Sequence, residues 1–239
     1  MRRTIATLVL SMLLWGCQAG DEVPRAEPGS DPVQAILKTY IQSLGGQTAV
    51  ASENTRIIQG TWVDDRPYFG EPRRSAFTVW AHSDGRWRYA SDYESFGVDS
   101  LGGWWLEKGY IRPDSFQKRS NFAYLFLPQS ALNIETYFDL KSDVRKSVQE
   151  NRQLLGVTTD RDTTYYTLWF DEESGELARI GYFWSLRDYR ETAGIRFPTQ
   201  IEISRKGGAN RFEIDTLIMN QPLPDSLLSR PRQYPTLDE

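Results

Sequence analysis

Residues 200–218, QIEISRKGGANRFEIDTLI, decide what kind of domain this chain forms. Ile201 and Ile203 fall on one side of an extended chain, with Gln200, Glu202 and Ser204 on the other. After Gly207–Gly208 the alternation resumes, with Phe212, Ile214 and Ile218 set against Glu213 and Asp215. Successive side chains of a strand point to opposite faces, so this period of two describes a sheet that is dry on one face and wet on the other. A glycine pair between two such runs is a hairpin turn. The stretch predicts an antiparallel hairpin lying over a core.

Working upstream, Asp84–Gly85, Lys108–Gly109 and Ser174–Gly175 also sit between β-rich runs that begin at Asn54. No helical pattern alternates with these runs, so the whole predicted sheet is antiparallel. Earlier strands carry aromatic residues on both faces: Trp62 beside Val63, Phe77 and Val79 opposite Trp80, Tyr165 and Trp169 opposite Tyr166 and Phe170, Tyr182 and Trp184 opposite Phe183. There the sheet is expected to be covered on both sides or to line a pocket.

One amphipathic helix is predicted ahead of the strands, in DPVQAILKTYIQSLGG (31–46), where Val33, Ile36, Leu37, Tyr40, Ile41 and Leu44 form one stripe at helical period. Asp31 suits the N-cap, Pro32 the first turn, and Gly45–Gly46 a left-handed stop. Between Pro113 and Lys141, SNFAYLFLPQSALNIETYF (120–138) is too apolar for a solvated loop and predicts one or two short helices packed on the sheet. Phe122, Leu125, Phe126 and Leu132 are the candidate lid residues; the alternative is that these helices only complete the core. The tail from Gln221, with Pro222, Pro224, Pro231 and Pro235, reads as irregular.

The N-terminus reads differently. Arg2 and Arg3 precede about ten apolar residues and then Leu14-Trp15-Gly16-Cys17, the layout of a secretion signal. Polar Gln18, Asp21 and Glu22 follow too soon for the roughly 20 apolar residues of a spanning helix. Leu14-Trp15-Gly16-Cys17 resembles a bacterial lipobox, which implies cleavage before Cys17 and lipidation of that residue. The expected division is a signal peptide over 1–16, lipidated Cys17 and a Pro/Gly-rich linker over 17–30, a folded domain over 31–232 and an irregular tail over 233–239. Gln18 after the cysteine, by analogy with Gram-negative sorting, favours the outer membrane facing the periplasm.

The precursor holds 28 basic and 32 acidic residues; without Arg2 and Arg3 the balance is 26 against 32, a net of −6. That excludes nucleic acid as the main partner and makes attachment a matter of lipid rather than charge. Cys17 is the only cysteine and His82 the only histidine, so neither a disulfide nor a two-histidine metal site can be built. No G-x-S-x-G turn is present, and His82 sits at a hairpin end. Asp64–Asp65, Asp160 with Asp162, and Glu172–Glu173 read as solvated turn carboxylates; a carbohydrate-processing enzyme would need two of them to converge in a cleft. No catalytic residue, metal or cofactor is expected.

Five stretches together resemble the superfamily of Lol-type outer-membrane lipoprotein carriers and receptors (LolA/LolB-like): YIQSLGGQTAV (40–50), TRIIQGTW (55–62), LWFDEESGELARI (168–180), DYRETAGIRFPTQIEI (188–203) and IMNQPLPDSLLSRP (218–231). The resemblance implies an α+β, mainly β fold: an unclosed, strongly curved antiparallel β-barrel, or half-barrel, with an N-terminal helix and short helices covering its opening. It also implies a non-enzymatic envelope lipoprotein that holds an acyl chain, a lipoprotein or another hydrophobic ligand in the half-barrel; a monomer is expected. The alternative is a structural or regulatory lipoprotein that uses the scaffold to contact an envelope protein partner. Expected cavity-lining residues are Trp62, Trp80, Trp104, Trp169, Tyr182, Trp184, Phe212 and Ile214; of the neighbours Trp104 and Trp105 only one can face inward.

Overall fold

The computed structural model describes residues 31–65, 70–107, 109–113, 120–159 and 167–233. The expected signal peptide, Cys17 and linker, the Asp160–Asp162 turn with Tyr165 and Tyr166, and residues 234–239 lie outside the described residues.

The first helix, α1 (Pro32–Ser43), forms as its stripe predicts. The Asp31 carboxylate accepts from the Val33 amide at 2.9 Å, and Val33, Leu37 and Tyr40 are buried. At its C-terminus the Gly46 amide donates to the Ile41 carbonyl, and Gly45 and Gly46 both adopt positive φ. Gly45 is required twice over, because a Cβ there would lie 2.0 Å from the Gly194 carbonyl oxygen. A short second helix, α2 (Gln47–Ala51), which the sequence pattern does not announce, leads into the sheet.

The strands are β1 (Thr55–Asp64), β2 (Arg73–His82), β3 (Trp87–Ser91), β4 (Ser95–Asp99), β5 (Gly102–Glu107), β6 (Tyr110–Pro113), β7 (Leu140–Gln149), β8 (Arg152–Thr159), β9 (Thr167–Asp171), β10 (Leu177–Ile180), β11 (Trp184–Thr192), β12 (Ile195–Arg205) and β13 (Gly208–Met219). They form one 13-stranded sheet in the order 6-5-4-3-2-1-13-12-11-10-9-8-7, antiparallel throughout, and Asp84–Gly85, Gly109, Ser174–Gly175 and Gly207–Gly208 fall where consecutive partners meet, while Lys108 lies outside the described residues. The chain meanders out from β1 to β6, crosses to β7 at the far edge, and meanders back until β13 closes on β1. Because β6 and β7 do not pair, the sheet is an open half-barrel.

The crossing from β6 to β7 carries the remaining inner helices: α3 (Ser120–Phe126), a 3₁₀ turn (Ser130–Asn133) and α4 (Ile134–Phe138). They lie, with α1, on the inner face of the sheet. Tyr124, Phe126, Ile134 and Phe138 are almost wholly buried in one core with Phe77, Val79, Phe170 and Ile201. The outer face of β2–β4 is also covered. The segment after β13, expected to be irregular, forms a short helix α5 (Asp225–Leu228) against those strands, with Leu228 fully buried. Arg230 then grips Asp99 through Nε at 2.8 Å and Nη2 at 2.9 Å.

Candidate functional site

The inner face is built by register. Trp62 on β1 opposes Phe212 on β13 and Ser75 on β2, and Gly60 opposes both Ile214 and Phe77. Gly60 thus leaves a gap in the central strand through which Phe77 and Phe212 meet edge to face, centroids 5.3 Å apart. From Phe77 the aromatic row continues to Tyr89 at 5.8 Å and on to Phe96 at 4.7 Å, both pairs stacked. Such pairs add about 0.5–1.5 kcal/mol each beyond their buried area. On the other side of the hollow, Trp184 opposes Ile203, and Leu186 opposes Ile201.

The short helices are tied down over this row by few polar contacts. Arg56 holds Glu53 with Nε and Nη2, each at 2.6 Å, while its Nη1 donates to the Leu125 carbonyl of α3 at 3.2 Å. Glu53 is fully buried and Arg56 nearly so, and the guanidinium also lies over the Phe197 ring at 4.8 Å. Gln129 donates to the carbonyls of Ala51 and Glu53, both at 2.9 Å. The Tyr40 and Tyr124 hydroxyls meet at 2.9 Å. Burial pushes Tyr40 up to about 12 and raises Tyr124 and Tyr189 as well, so these phenols stay neutral at physiological pH. Between helices and sheet, the void bordered by Tyr40, Arg56, Tyr124, Tyr189 and Phe197 measures about 30 Å³. That is room for roughly one water molecule. Among the described residues, the protein's own side chains pack closely around this void.

The eight expected lining residues divide. Trp62, Trp184, Phe212 and Ile214 face inward with the core. Trp80, Trp104 and Trp169 do not, and their expected place on the lining is corrected. Trp80 and Trp104 lie on the outer face with the Arg88 guanidinium 5.7 and 5.9 Å from their rings, and Trp104 is fully buried there. Its neighbour Trp105 takes the inner face, opposite Phe96. Trp169 covers Gly156 on the outer face, where a Cβ would lie 2.6 Å from the indole. Tyr182 sits in the β10–β11 turn, 57% exposed. Of the lid residues, Leu125 and Phe126 are buried and Leu132 packs against the same core, whereas the Phe122 side chain lies outside the described residues.

Sequence reasoning missed Phe77, Tyr89, Phe96, Phe197 and Arg56. For β2 a signal was available: Ser75, Phe77, Val79 and Ala81 alternate with Ala76, Thr78, Trp80 and His82, so the more apolar set excludes Trp80. Nothing in the spacing marks Arg56 for burial. His82 sits at the β2–β3 turn, where its Nδ1 accepts from the Asp84 amide at 3.1 Å. Among the described residues no group of three or more His, Cys, Asp or Glu could hold a metal ion.

No family model matches the sequence, and no curated protein matches it. Solved structures do match its shape. A DUF1329 family protein from Desulfovibrio piger superposes with a TM-score of 0.57 at 14% identity, covering 84% of this chain and 98% of that one. A LolA-superfamily protein from Nitrosomonas europaea gives 0.53 at 12% identity, covering 82% and 97%. This chain has the LolA-like fold. A domain from Vibrio parahaemolyticus described as an outer membrane lipoprotein-sorting protein also gives 0.53, at 11% identity over 73% of this chain and 89% of that one. In all three the likeness is one of fold.

Proposed function

We propose that this protein is a non-enzymatic lipoprotein of the bacterial envelope, anchored through Cys17 and facing the periplasm, whose half-barrel takes an acyl chain or a comparable hydrophobic ligand. The observation that carries this reading is the aromatic row Phe96–Tyr89–Phe77–Phe212 beneath a cover of helices only seven, four and five residues long. Helices that short have little stability of their own and hold their place by packing and the ties from Arg56 and Gln129. A ligand enters by displacing them, exchanging their apolar contacts for its own. Trp62, Trp184, Phe212 and Ile214 then form the lining, and Leu125 and Phe126 the part of the lid that moves. Native mass spectrometry of the chain from Gln18 onward tests this. Copurifying lipid, or stoichiometric uptake of an added fatty acid, supports it; a protein that stays empty at saturating fatty acid refutes it.

The closely packed interior favours one second reading, a scaffold that contacts an envelope protein while its core stays closed. Site-directed crosslinking that traps one protein at an outer surface, with cavity-filling substitutions leaving the phenotype intact, selects that reading.

A further inference from the structure

The sheet has a seam. β10 and β11 share only two register pairs, Arg179 with Ser185 and Ile180 with Trp184. The next rung would set Ala178 against Leu186, and it is missing. A cavity of about 240 Å³ opens there, with Ala178 and Leu186 on its walls. On the side facing β11, the Leu177 carbonyl accepts from the Tyr189 hydroxyl at 2.9 Å, so one side chain bridges the gap. Leu186 and Tyr189 also border the interior void, which places the cleft one side chain away from the acyl site.

The cleft's charges are unevenly used. Glu150 is answered by Arg187 at 3.0 Å and Glu176 by Arg196 at 2.7 Å. Arg152 stands 3.9 Å from Asp171 and 4.0 Å from Glu150, too far for hydrogen bonds. The Asp188 carboxylate has no ion-pair partner among the described residues, and its backbone adopts φ 54° within β11. Arg152, held by two carboxylates only at ion-pair range, and Asp188, without an ion-pair partner among the described residues, thus face the same cleft beside an apolar floor of Ala178 and Leu186.

We propose that the β10–β11 cleft binds a zwitterionic head group, an ammonium joined by a short linker to an anionic oxygen group, with the ammonium at Asp188 and the anion at Arg152. Charges of both signs in one cleft select a ligand that supplies both and disfavour one that leaves either unpaired. The head group belongs to a lipid whose tail passes Tyr189, and only that tail rests on the acyl-chain reading above.

The test titrates the chain from Gln18 onward with lysophosphatidylethanolamine and lysophosphatidylglycerol of the same acyl length below their micellar concentrations, and with free O-phosphoethanolamine followed by NMR. The amine lipid is expected to bind at least tenfold more tightly, and Asp188→Asn or Arg152→Gln to bring the preference within twofold. Equal binding of both lipids overturns the head-group site and leaves the acyl reading standing. Binding of phosphoethanolamine at the cleft with neither lysolipid bound supports the site, assigns it to a free zwitterion and overturns the acyl reading. Binding of none of the three overturns both.

Discussion

Replacing Arg56 separates the structural and functional readings of the lid. Its guanidinium satisfies both oxygens of a fully buried carboxylate and one carbonyl of α3. Arg56→Leu strands Glu53 without a counter-charge, and breaking a buried pair from one side costs about 3–5 kcal/mol. A domain of this kind is stable by about 5–15 kcal/mol, so the loss is a large share of the total. In urea the midpoint is expected to fall by on the order of 1–2 M at unchanged slope. Adding Glu53→Gln removes the stranded charge, so the double variant should be more stable than Arg56→Leu alone, and the cycle, with the Glu53→Gln cost also subtracted, should carry an interaction energy of at least about 2 kcal/mol. Arg56→Lys keeps a positive charge beside Glu53 but cannot serve the carboxylate and Leu125 together. A charge-assisted hydrogen bond contributes about 1.5–3 kcal/mol, so amide exchange of 120–127 should rise tenfold to a hundredfold while global stability changes far less. Additive costs under about 1 kcal/mol for Arg56→Leu and Glu53→Gln, with unchanged α3 exchange in Arg56→Lys, would refute the view that this pair latches the helical cover.

Three further perturbations probe the rest. Gly60→Ala places a methyl 2.1 Å from the Glu213 carbonyl oxygen, so β1 and β13 must shift; a loss of about 1–3 kcal/mol in urea unfolding is expected, and a neutral result contradicts the close approach. Cys17→Ser removes the expected acylation site, and cell fractionation should move the protein from membranes to the soluble fraction. Leu228→Ala should cost about 2–5 kcal/mol if α5 belongs to the fold, measured by urea unfolding.

The fold was legible wherever one face of an element met water. α1 and the β12–β13 hairpin show their periods because Gln200, Glu202, Glu213 and Asp215 stay polar opposite the core. The lining was not legible where both faces are dry. On β2 and β5, Trp80 and Trp104 are as apolar as anything on the inner face, and the outer face is itself covered, by α5 over β2 to β4, with Trp104 fully buried and Trp80 half-buried. Their companions on that face, Thr78, Arg88 and Asp99, were the clue, and reading it required the strand register, which fixes faces only after partners are known. Tyr182 was lost for a different reason: β10 stops at Ile180, so the alternation that would have turned Tyr182 inward ends before reaching it.

The outer core has its own electrostatic fastening, and its pH dependence follows from one residue. Burial pushes the Asp99 carboxyl up, but the bidentate grip of Arg230 and the amides of Leu101 and Arg230 outweigh it and hold the carboxyl below the usual range. A carboxyl depressed in the folded state contributes stability above its unfolded pKa of about 3.9 and loses that contribution as pH falls through the lower folded value. Asp99→Asn should therefore be less stable than the parent chain at pH 6, with the gap closing as the pH is brought down to about 3. Urea midpoints of the two proteins across that range measure it. Because Arg230 ties the tail across β4, the same acidification should raise amide exchange in 225–230 before it does so in β13. A stability gap that persists unchanged at pH 3 means the Asp99 charge does not hold the strap, and Leu228 alone keeps the outer face closed.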